Sequence, residues 1–467
     1  MEIIISFATE DFITPEHDEV LLWLAEMLSK RGIKGCFHLT GDLARELRDR
    51  RRKDIIRALQ KHEIGYHCNT HGAYPFIFSV CENMDWDSAV SRLMETEAKG
   101  IHDISEITGT FPKYFVIEFA RAPQLIYAMR MLGISTLGLS ELPSMEKPFV
   151  SYAGSLCYSG PIMGLEPPQM EQKRLQNMKN EFDALYSKAS EGEYDGILKV
   201  FLHPYKLIYP HAEASWVSRN DIYRKYDVKN KWLVPPLFPA KTIKRLHREF
   251  EEIVDYILEH KGVKFLSTSE LSDKYRTRYP SFVTLKSLLE IAEKSIAETT
   301  FIKSGGIYYS PAEILAMAVY ALKEFEKNKK LPEEIIYRNI LGPVESAPPF
   351  RKTGKIKTEN ILKTMDNINR KIDFHQRMPS HIEIGKDTLP PGGAFKLLMK
   401  VLVSLSKGNK LPYHEAGSFQ DFPSVSEEKY FQTKTFTRPI YPENFTGKNI
   451  CVSNKLQSWS YKPSIKI

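Results

Sequence analysis

The stretch EIIISFATEDFITPEHDEVLLWLAEMLSKRG, residues 2–32, predicts a strand followed by a helix. Its first part, IIISF at 3–7, is a short apolar run that indicates a buried strand. The helix that follows is marked at both ends, because Thr14 is a suitable N-cap, Pro15 takes the first helical position and Gly32 ends the periodic pattern. A buried strand joined to an amphipathic helix makes one βα unit.

The same order of strand and helix continues through residues 1–275. Amphipathic helical stretches separate further strand candidates, which are KGCFHLTG, EIGYH, KYFVIE, ISTLG, FVSYAGSLCY, GILKVFLHP and VKFLST. About eight strands with helices between them are typical of a βα-repeated parallel sheet or barrel. We therefore expect an α/β fold whose reactive residues lie where strands end and βα loops begin.

The pattern changes after about residue 276, where helices dominate. Residues 311–335 align without gaps onto residues 391–415, an offset of 80, and both end in a basic turn followed by Lys-Leu-Pro. This internal repeat predicts a duplicated, mainly helical module over residues 276–430. The remaining residues, 431–467, are polar with little periodicity, and we expect an irregular C-terminal tail.

Composition excludes several classes of protein. With 42% hydrophobic and 26% charged residues the chain is typical of a soluble globular protein, and its net charge of +7 is modest. The basic run RDRRRKD at 48–54 is assigned to a solvated helix face, so we expect no nucleic-acid partner. We also expect no membrane span and no signal peptide. Five cysteines without a CxxC pair predict free thiols in a reduced compartment, the cytoplasm.

Polar side chains gather at three predicted strand ends. Glu10 and Asp11 follow the first strand, His67 and His71 follow the third in GYHCNTH, and His203 ends a late strand in FLHPY. A barrel brings such strand ends together, and two imidazoles with one carboxylate suit a divalent metal that keeps open positions for water. Such a metal activates water and polarises a carbonyl group, while a nearby carboxylate and histidine move protons.

The order of SFATEDF, GCFHLTG, GYHCNTH and ILKVFLHP resembles the polysaccharide deacetylase family, carbohydrate esterase family 4. That family has Thr-Phe-Asp-Asp on its first strand, His-x-x-x-His after its third and Leu-x-His on a late strand. The resemblance covers about residues 1–275 of the chain. It implies a distorted (β/α) barrel, and an enzyme that hydrolyses acetamides, mostly on N-acetylated sugars.

Matched residue by residue, the resemblance implies a role for each candidate. His203 matches the histidine that protonates the departing amine, and Glu10 stands at the position of the family's general-base aspartate. An alternative alignment puts Ala8 at that position and leaves the enzyme without its usual base. The implied cofactor is a divalent metal, Zn first, with Ni, Co or Mn as alternatives. The metal ligands implied by the match are Asp11, His67 and His71.

The chain departs from the family pattern at several positions. The family's Arg-Pro-Pro-Tyr segment should fall near residues 114–124, where Arg121 is present but offset. Cys68 replaces the hydroxyl residue after the first histidine, and Gly72 replaces the proline after the second. Arg121 and Tyr74 remain candidate substrate-binding residues, the latter as an aromatic ring that can stack on a sugar.

The predicted function is that of a metal-dependent hydrolase that removes an N-acyl group, such as acetyl, from an amino sugar, a polysaccharide or another N-acylated small molecule. Two alternatives stay open. One is a non-catalytic glycan-binding or scaffold protein that keeps the barrel but has lost the base and the arginine. The other is an amidase acting on a different small C–N substrate. The C-terminal repeat also faintly resembles pseudomurein-binding repeats, which would imply binding to a glycan or cell wall.

Overall fold

The computed structural model describes the chain except for residues 72–76, 117–121, 139–141, 144, 167–172, 210–235, 276–278, 349–353, 410, 428–444 and 467. The chain forms two compact units. The first comprises Met1–Phe149, Ser155–Tyr275 and Thr433–Gly447, and the second comprises Val150–Gly154, Arg276–Gln432 and Lys448–Ile467. Among the described residues, no helix has the length and apolar character needed to cross a bilayer.

Strands and helices alternate through residues 1–275. The strands are β1 (Glu2–Thr9), β2 (Cys36–Thr40), β3 (Glu63–Cys68), β4 (Thr136–Leu137), β5 (Phe149–Tyr152), β6 (Ser155–Tyr158), β7 (Ile162–Gly164), β8 (Ile197–Leu202) and β9 (Lys264–Phe265). The helices are α1 (Pro15–Lys30), α2 (Gly41–Asp49), α3 (Lys53–Leu59), α4 (Ile77–Asn83), α5 (Trp86–Thr108), α6 (Pro123–Met131), α7 (Arg174–Ser190), α8 (Ala240–Glu259) and α9 (Thr268–Asp273).

The strands of the first unit form a curved parallel sheet. Its order is β3, β2, β1, β8 and β7, and β9 also pairs with β1. Bridges from Tyr66 to Phe115 and from Phe115 to Leu137 extend it to β4, which pairs with β6. The Lys199 amine on β8 donates to the Gly138 carbonyl just after β4 at 2.6 Å, so strands distant in the sheet order face each other. The predicted α/β fold of the distorted (β/α) barrel type is confirmed.

The first βα unit, β1 followed by α1, shows how the local sequence produces a buried strand and a helix. Every residue of β1 from Ile3 to Thr9 is buried, as expected for a parallel strand covered on both faces. Thr14 has extended backbone angles and Pro15 begins α1, as the sequence predicts. The carboxylate of Asp11 accepts hydrogen bonds from the backbone amides of Ile13 and Thr14, and so holds the turn that leads into this helix.

The second unit contains the repeated sequence. Its strands are β10 (Phe282–Thr284), β11 (Ile302–Ser304), β12 (Ile307–Tyr309), β13 (Glu334–Ile336), β14 (Ile356–Lys357), β15 (Ile382–Ile384), β16 (Asp387–Leu389), β17 (Tyr413–His414) and β18 (Lys462–Pro463). Its helices are α10 (Leu285–Ala297), α11 (Pro311–Asn328), α12 (Thr358–His375), α13 (Pro391–Ser406) and α14 (Lys448–Gln457).

One order of elements occurs twice in this unit: strand, helix, hairpin, helix, strand. The outer strands pair as β10 with β13 and β14 with β17, and the hairpins are β11–β12 and β15–β16. The helices are exchanged between the copies, because α10 of the first packs on α13 of the second and α12 of the second packs on α11 of the first. The two copies therefore share one apolar core.

The end of the chain differs from the irregular tail expected for residues 431–467. Residues 448–466 contain α14 and then β18, which pairs with β5 residues of the same unit. Trp459 is fully buried. The Lys462 amine lies 2.5 Å from the Glu313 carboxylate and 3.9 Å from the centre of the Tyr279 ring. Two deeply buried anchors, rather than a periodic apolar face, hold this segment, which is why its polar sequence gave no signal.

Candidate metal centre and active site

Three parallel strands of the barrel, β1, β3 and β8, bring four titratable side chains together. Glu10 directly follows β1, His67 lies near the end of β3, and His203 directly follows β8. His71 stands four residues beyond His67, in the loop after β3. Because parallel strands present their carboxyl ends at one rim, these residues meet there. Glu10, His67 and His203 are at most 5% exposed.

The carboxylate of Glu10 stands among three imidazoles. Its Oε2 atom lies 3.1 Å from Nε2 of His67, 3.4 Å from Nε2 of His71 and 3.9 Å from Nε2 of His203. Burial alone raises the pKa of the Glu10 carboxyl, but the nearby histidines outweigh it and hold that pKa well below its ordinary value. Glu10 is therefore an ionised carboxylate facing three nitrogen atoms.

Asp11 turns to different partners. One carboxylate oxygen accepts from the amides of Ile13 and Thr14 just before α1, at 2.9 and 3.4 Å, and the other accepts the hydroxyl hydrogen of Tyr209. Burial and the Asp11 charge raise the pKa of Tyr209, so this hydroxyl stays protonated and donates. The structure thus places Glu10, rather than Asp11, against the two histidines of the His-x-x-x-His motif.

The geometry of the site accepts a divalent cation. Tetrahedral Zn²⁺ with ligands at about 2.0–2.1 Å separates neighbouring ligand atoms by about 3.3–3.4 Å. The distances from Glu10 Oε2 to the Nε2 atoms of His67 and His71, 3.1 and 3.4 Å, are close to that separation. Imidazole nitrogens with a carboxylate oxygen are also the donor set that zinc and similar metals prefer.

Cys68 belongs to the same neighbourhood but meets His71 on its other side. Ligand atoms of His67, Cys68 and His71 lie within 4.8 Å of one another. The Cys68 sulfur is 3.5 Å from Nδ1 of His71, whereas Glu10 faces Nε2 of that ring. Since one cation cannot use both nitrogens of one imidazole, Cys68 and Glu10 could not both join His71 in binding the same cation.

His203 is held by a carboxylate that the sequence did not reveal. Its Nδ1 contacts Glu166, and the other oxygen of Glu166 contacts the Lys206 amine. Burial opposes ionisation of Glu166, yet His203 and Lys206 lower its pKa to about 2. A charged acceptor on Nδ1 fixes the orientation of the ring and directs Nε2 toward Glu10.

A buried network behind the barrel holds the loop that carries both motif histidines. The Glu97 carboxylate on α5 accepts from the Tyr66 hydroxyl at 2.6 Å and from the Asn69 amide at 2.9 Å. Asn69 also accepts from Arg45 at 3.0 Å through its side chain. One turn beyond Glu97, a side chain at Gly100 would stand 2.7 Å from Asn69 Cα, so only glycine allows this close approach.

The other residues that the sequence suggested for the site do not join the group around Glu10 among the described residues. Tyr74 and Arg121, the candidate substrate-binding residues, lie outside the described residues, as does Gly72. Ala8, which the alternative alignment puts at the base position, is fully buried within β1. Glu166 and Glu97 were missed because neither belongs to a motif and each contacts a partner far away in sequence.

Comparison with known proteins gives matches at the level of structure. No protein-family model matches the chain, and no curated sequence matches it. A family 4 acetyl xylan esterase from Clostridium thermocellum, solved with cobalt, is 16% identical at a TM-score of 0.30, over 58% of this chain and 91% of the esterase. An allantoinase is 13% identical at a TM-score of 0.37, over 58% of this chain and 89% of the allantoinase.

A third similar structure is the carbohydrate esterase family 4 domain of a multidomain xylanase from the hindgut metagenome of Trinervitermes trinervoides. It is 14% identical at a TM-score of 0.29, over 59% of this chain and 92% of the domain. The solved structures to which this chain is similar thus include polysaccharide deacetylases and carbohydrate esterase family 4 members, the family that its motifs resemble.

Proposed function

We propose that the first unit is a metal-dependent hydrolase that cleaves the C–N bond of an N-acyl group. The observation that carries this proposal is the convergence of three imidazole Nε2 atoms on the Glu10 carboxylate, at 3.1, 3.4 and 3.9 Å. In barrels of this kind, catalytic residues usually lie at the carboxyl ends of the strands, and they often include buried titratable groups.

In this proposal Glu10, His67 and His71 hold the divalent cation, Zn first, with Ni, Co or Mn as alternatives. When bound, the cation polarises the acyl carbonyl and lowers the pKa of water. This changes two of the sequence-based assignments, because Glu10 takes the ligand role expected of Asp11 and leaves the role of base. Its distances to His67 and His71 support the change.

His203 moves the proton in this proposal. Glu166 contacts its Nδ1, so Nε2 is the nitrogen that faces the site. From this position His203 accepts a proton from the attacking water and delivers it to the departing amine, while the C–N bond breaks and the acyl group leaves as a carboxylate. Asp11, bound by Tyr209, supports the start of α1 beside the site.

The substrate class that the motif resemblance favours is an N-acetylated amino sugar or polysaccharide. Another small amide remains the alternative, because the same groups act on any accessible C–N bond. The non-catalytic alternative, a glycan-binding scaffold, also keeps its place, because a ligand role for Glu10 removes the expected carboxylate base.

The test is acetate release from N-acetylglucosamine oligomers and from small acetamides, by the full chain supplied with Zn²⁺. His71→Ala should lower the rate by at least about 100-fold, since it removes a proposed ligand. His102, whose side chain is 76% exposed on α5, offers a matched control, and His102→Ala should keep the rate. An unchanged rate in His71→Ala rejects the proposal, and binding of oligomers without turnover favours the scaffold alternative.

A further inference from the structure

The second unit contains a basic pocket of about 300 Å³ that is separate from the histidine site. It lies at the corner where α12 ends and the chain turns toward β15. Val344 and Met378 contribute apolar surface, and Glu345 contributes one carboxylate. The basic side chains that line it are Lys371, His375, Arg377 and His381.

The two copies of the repeat show how the pocket arises. In each copy the turn after the first helix is hydrogen-bonded to a segment that follows the last strand of the other copy. The Met378 amide donates to the Leu341 carbonyl at 2.8 Å, and the Thr299 amide donates to the Gln420 side-chain oxygen at 2.9 Å. The helix before the corner has 13 residues in the first copy and 18 in the second. The longer helix brings additional basic side chains to the second corner.

The first corner is covered by the chain itself. The Ser424 amide donates to the Thr299 carbonyl at 3.1 Å, which closes the segment over this corner. The approach is so close that a side chain at Gly392 would stand 1.8 Å from the Gln420 carbonyl oxygen. In the second copy the position equivalent to Ser424, offset by 79, is Glu345, which lines the pocket instead.

Stabilisation of the carbonyl end of α12 explains only one of the four basic side chains that line the pocket. A cation in the last turn stabilises the carbonyl end of a helix, and His375 is in that place. Lys371 lies one turn earlier and makes no ion pair among the described residues. His381 lies beyond the helix, just before β15, and the first copy has Phe301 at the equivalent position. Side chains from the helix and the turn after it therefore converge on one cavity.

We propose that this pocket binds a small organic anion through its phosphate or carboxylate group. Lysine and arginine recognise both groups by charge-assisted hydrogen bonds. The hydroxyl of Ser380, which lies 3.2 Å from Nδ1 of His381, also lines the cavity, and Val344 and Met378 receive the carbon part of the ligand. Glu345 is the acidic residue among the described lining residues, and its carboxylate disfavours ligands that carry a second anionic group. The inference does not depend on the proposed hydrolase.

The test is calorimetric titration of the full chain with three probes that differ in charge: glucose 6-phosphate, glucuronate and glucose. At least one of the two anions should bind with a Kd below about 1 mM, and glucose should not. Which anion binds more tightly separates a phosphate ligand from a carboxylate ligand. Repeating the titration in His71→Ala excludes a contribution from the histidine site of the first unit.

Lys371→Glu and His381→Ala should each weaken anion binding by about tenfold or more, because each removes a cationic or hydrogen-bonding group. Lys294→Glu, in the last turn of α10 in the first copy, is the matched control and should bind as the original chain does. Unchanged thermal unfolding of each variant shows that it is folded. The proposal is overturned if glucose binds as tightly as the anions, or if Lys294→Glu weakens anion binding as much as Lys371→Glu does. It is also overturned if neither anion binds at 10 mM, a concentration that corresponds to a binding free energy of roughly 3 kcal/mol.

Discussion

Nε2 of His67 lies 3.1 Å from a carboxylate oxygen of Glu10, and each of these side chains is only 1% exposed. A buried carboxylate in contact with a buried imidazole is either a hydrogen-bonded pair or two ligands of one cation. The second imidazole, His71, at 3.4 Å from the same oxygen, favours the cation. The adjacent Asp11 is bound elsewhere, and this difference separates the two carboxylates experimentally.

Glu10→Gln should lower the affinity for Zn²⁺ by about 100-fold, because it removes the negative charge from the proposed ligand set. Asp11→Asn should lower it by no more than about threefold, since that carboxylate faces the amides of Ile13 and Thr14 and the Tyr209 hydroxyl. Competition with a coloured zinc chelator measures both affinities. The reverse result, with the larger loss in Asp11→Asn, would restore the assignment made from the sequence.

Glu166→Gln should lower the rate of N-acyl hydrolysis by about 10- to 100-fold while metal affinity stays unchanged. The change removes the charge that holds Nδ1 of His203 and the Lys206 amine, but no proposed ligand. The rate is tested by measuring kcat and KM at a saturating concentration of the cation, and metal affinity is tested by the zinc titration. Lys206→Met provides the control, because it leaves the Glu166–His203 contact in place and should have the smaller effect.

Glu166 also affects stability at low pH. Its pKa is about 2 in the native state, against an ordinary value near 4.3, so the unfolded chain binds the proton more readily. The stabilisation is present above the unfolded pKa and is lost as pH falls toward 2. In Glu166→Gln the free energy of unfolding should therefore fall less between pH 5 and pH 3 than in the original chain.

The barrel could be predicted from the sequence, and so could the meeting of Glu10 with the three histidines at one rim, because both depend on local patterns. The buried run of β1 and the helix signals at Thr14 and Pro15 are such patterns. The choice between Glu10 and Asp11 required the structure. Ser6 faces the barrel interior, where its hydroxyl contacts His38, and alternation along the strand then places Glu10 on the same face.

Contacts between distant parts of the chain could not be predicted in this way. Glu166 meets His203 across 37 positions, and no pattern around either residue indicates the pair. Lys462 meets Glu313 across 149 positions, inside a segment whose composition suggested an irregular tail. A single buried ion pair leaves no periodic trace in a sequence, so tertiary contacts of this kind appear only in the structure.

Glu97→Ala should lower both stability and metal affinity, because it removes the acceptor that holds the loop between His67 and His71. The Tyr66 hydroxyl and the Asn69 amide would remain buried without it, at a cost of roughly 3 kcal/mol in the free energy of unfolding. The affinity for Zn²⁺ should fall about tenfold. Urea unfolding and the zinc titration measure the two effects.

The conservative change Glu97→Gln is the informative control. It keeps one acceptor oxygen for the Asn69 amide, so it should recover most of the zinc affinity even where some stability is lost. If Glu97→Ala unfolds more easily but binds zinc as tightly as the original chain, the network supports the barrel without positioning the histidines.

The buried amine of Lys199 should make the free energy of unfolding increase with pH. Its amine lies inside the barrel, 1% exposed, and burial lowers its pKa to about 7. In the unfolded chain a lysine has a pKa near 10.4. Between these values the unfolded chain binds a proton that the native chain does not, so the free energy of unfolding rises as pH increases from 7 to 10.

Lys199→Met removes this titration and should flatten the rise. Relative to the variant, the original chain should gain roughly 3 kcal/mol between pH 7 and pH 10. At pH 7 the variant gains from losing a buried amine but leaves the Gly138 carbonyl without its donor, so the slope is more informative than either absolute value. Urea unfolding at four pH values measures it, with the exposed Lys188→Met on α7 as control. Parallel curves for the original chain and Lys199→Met would show that the amine stays charged inside the barrel.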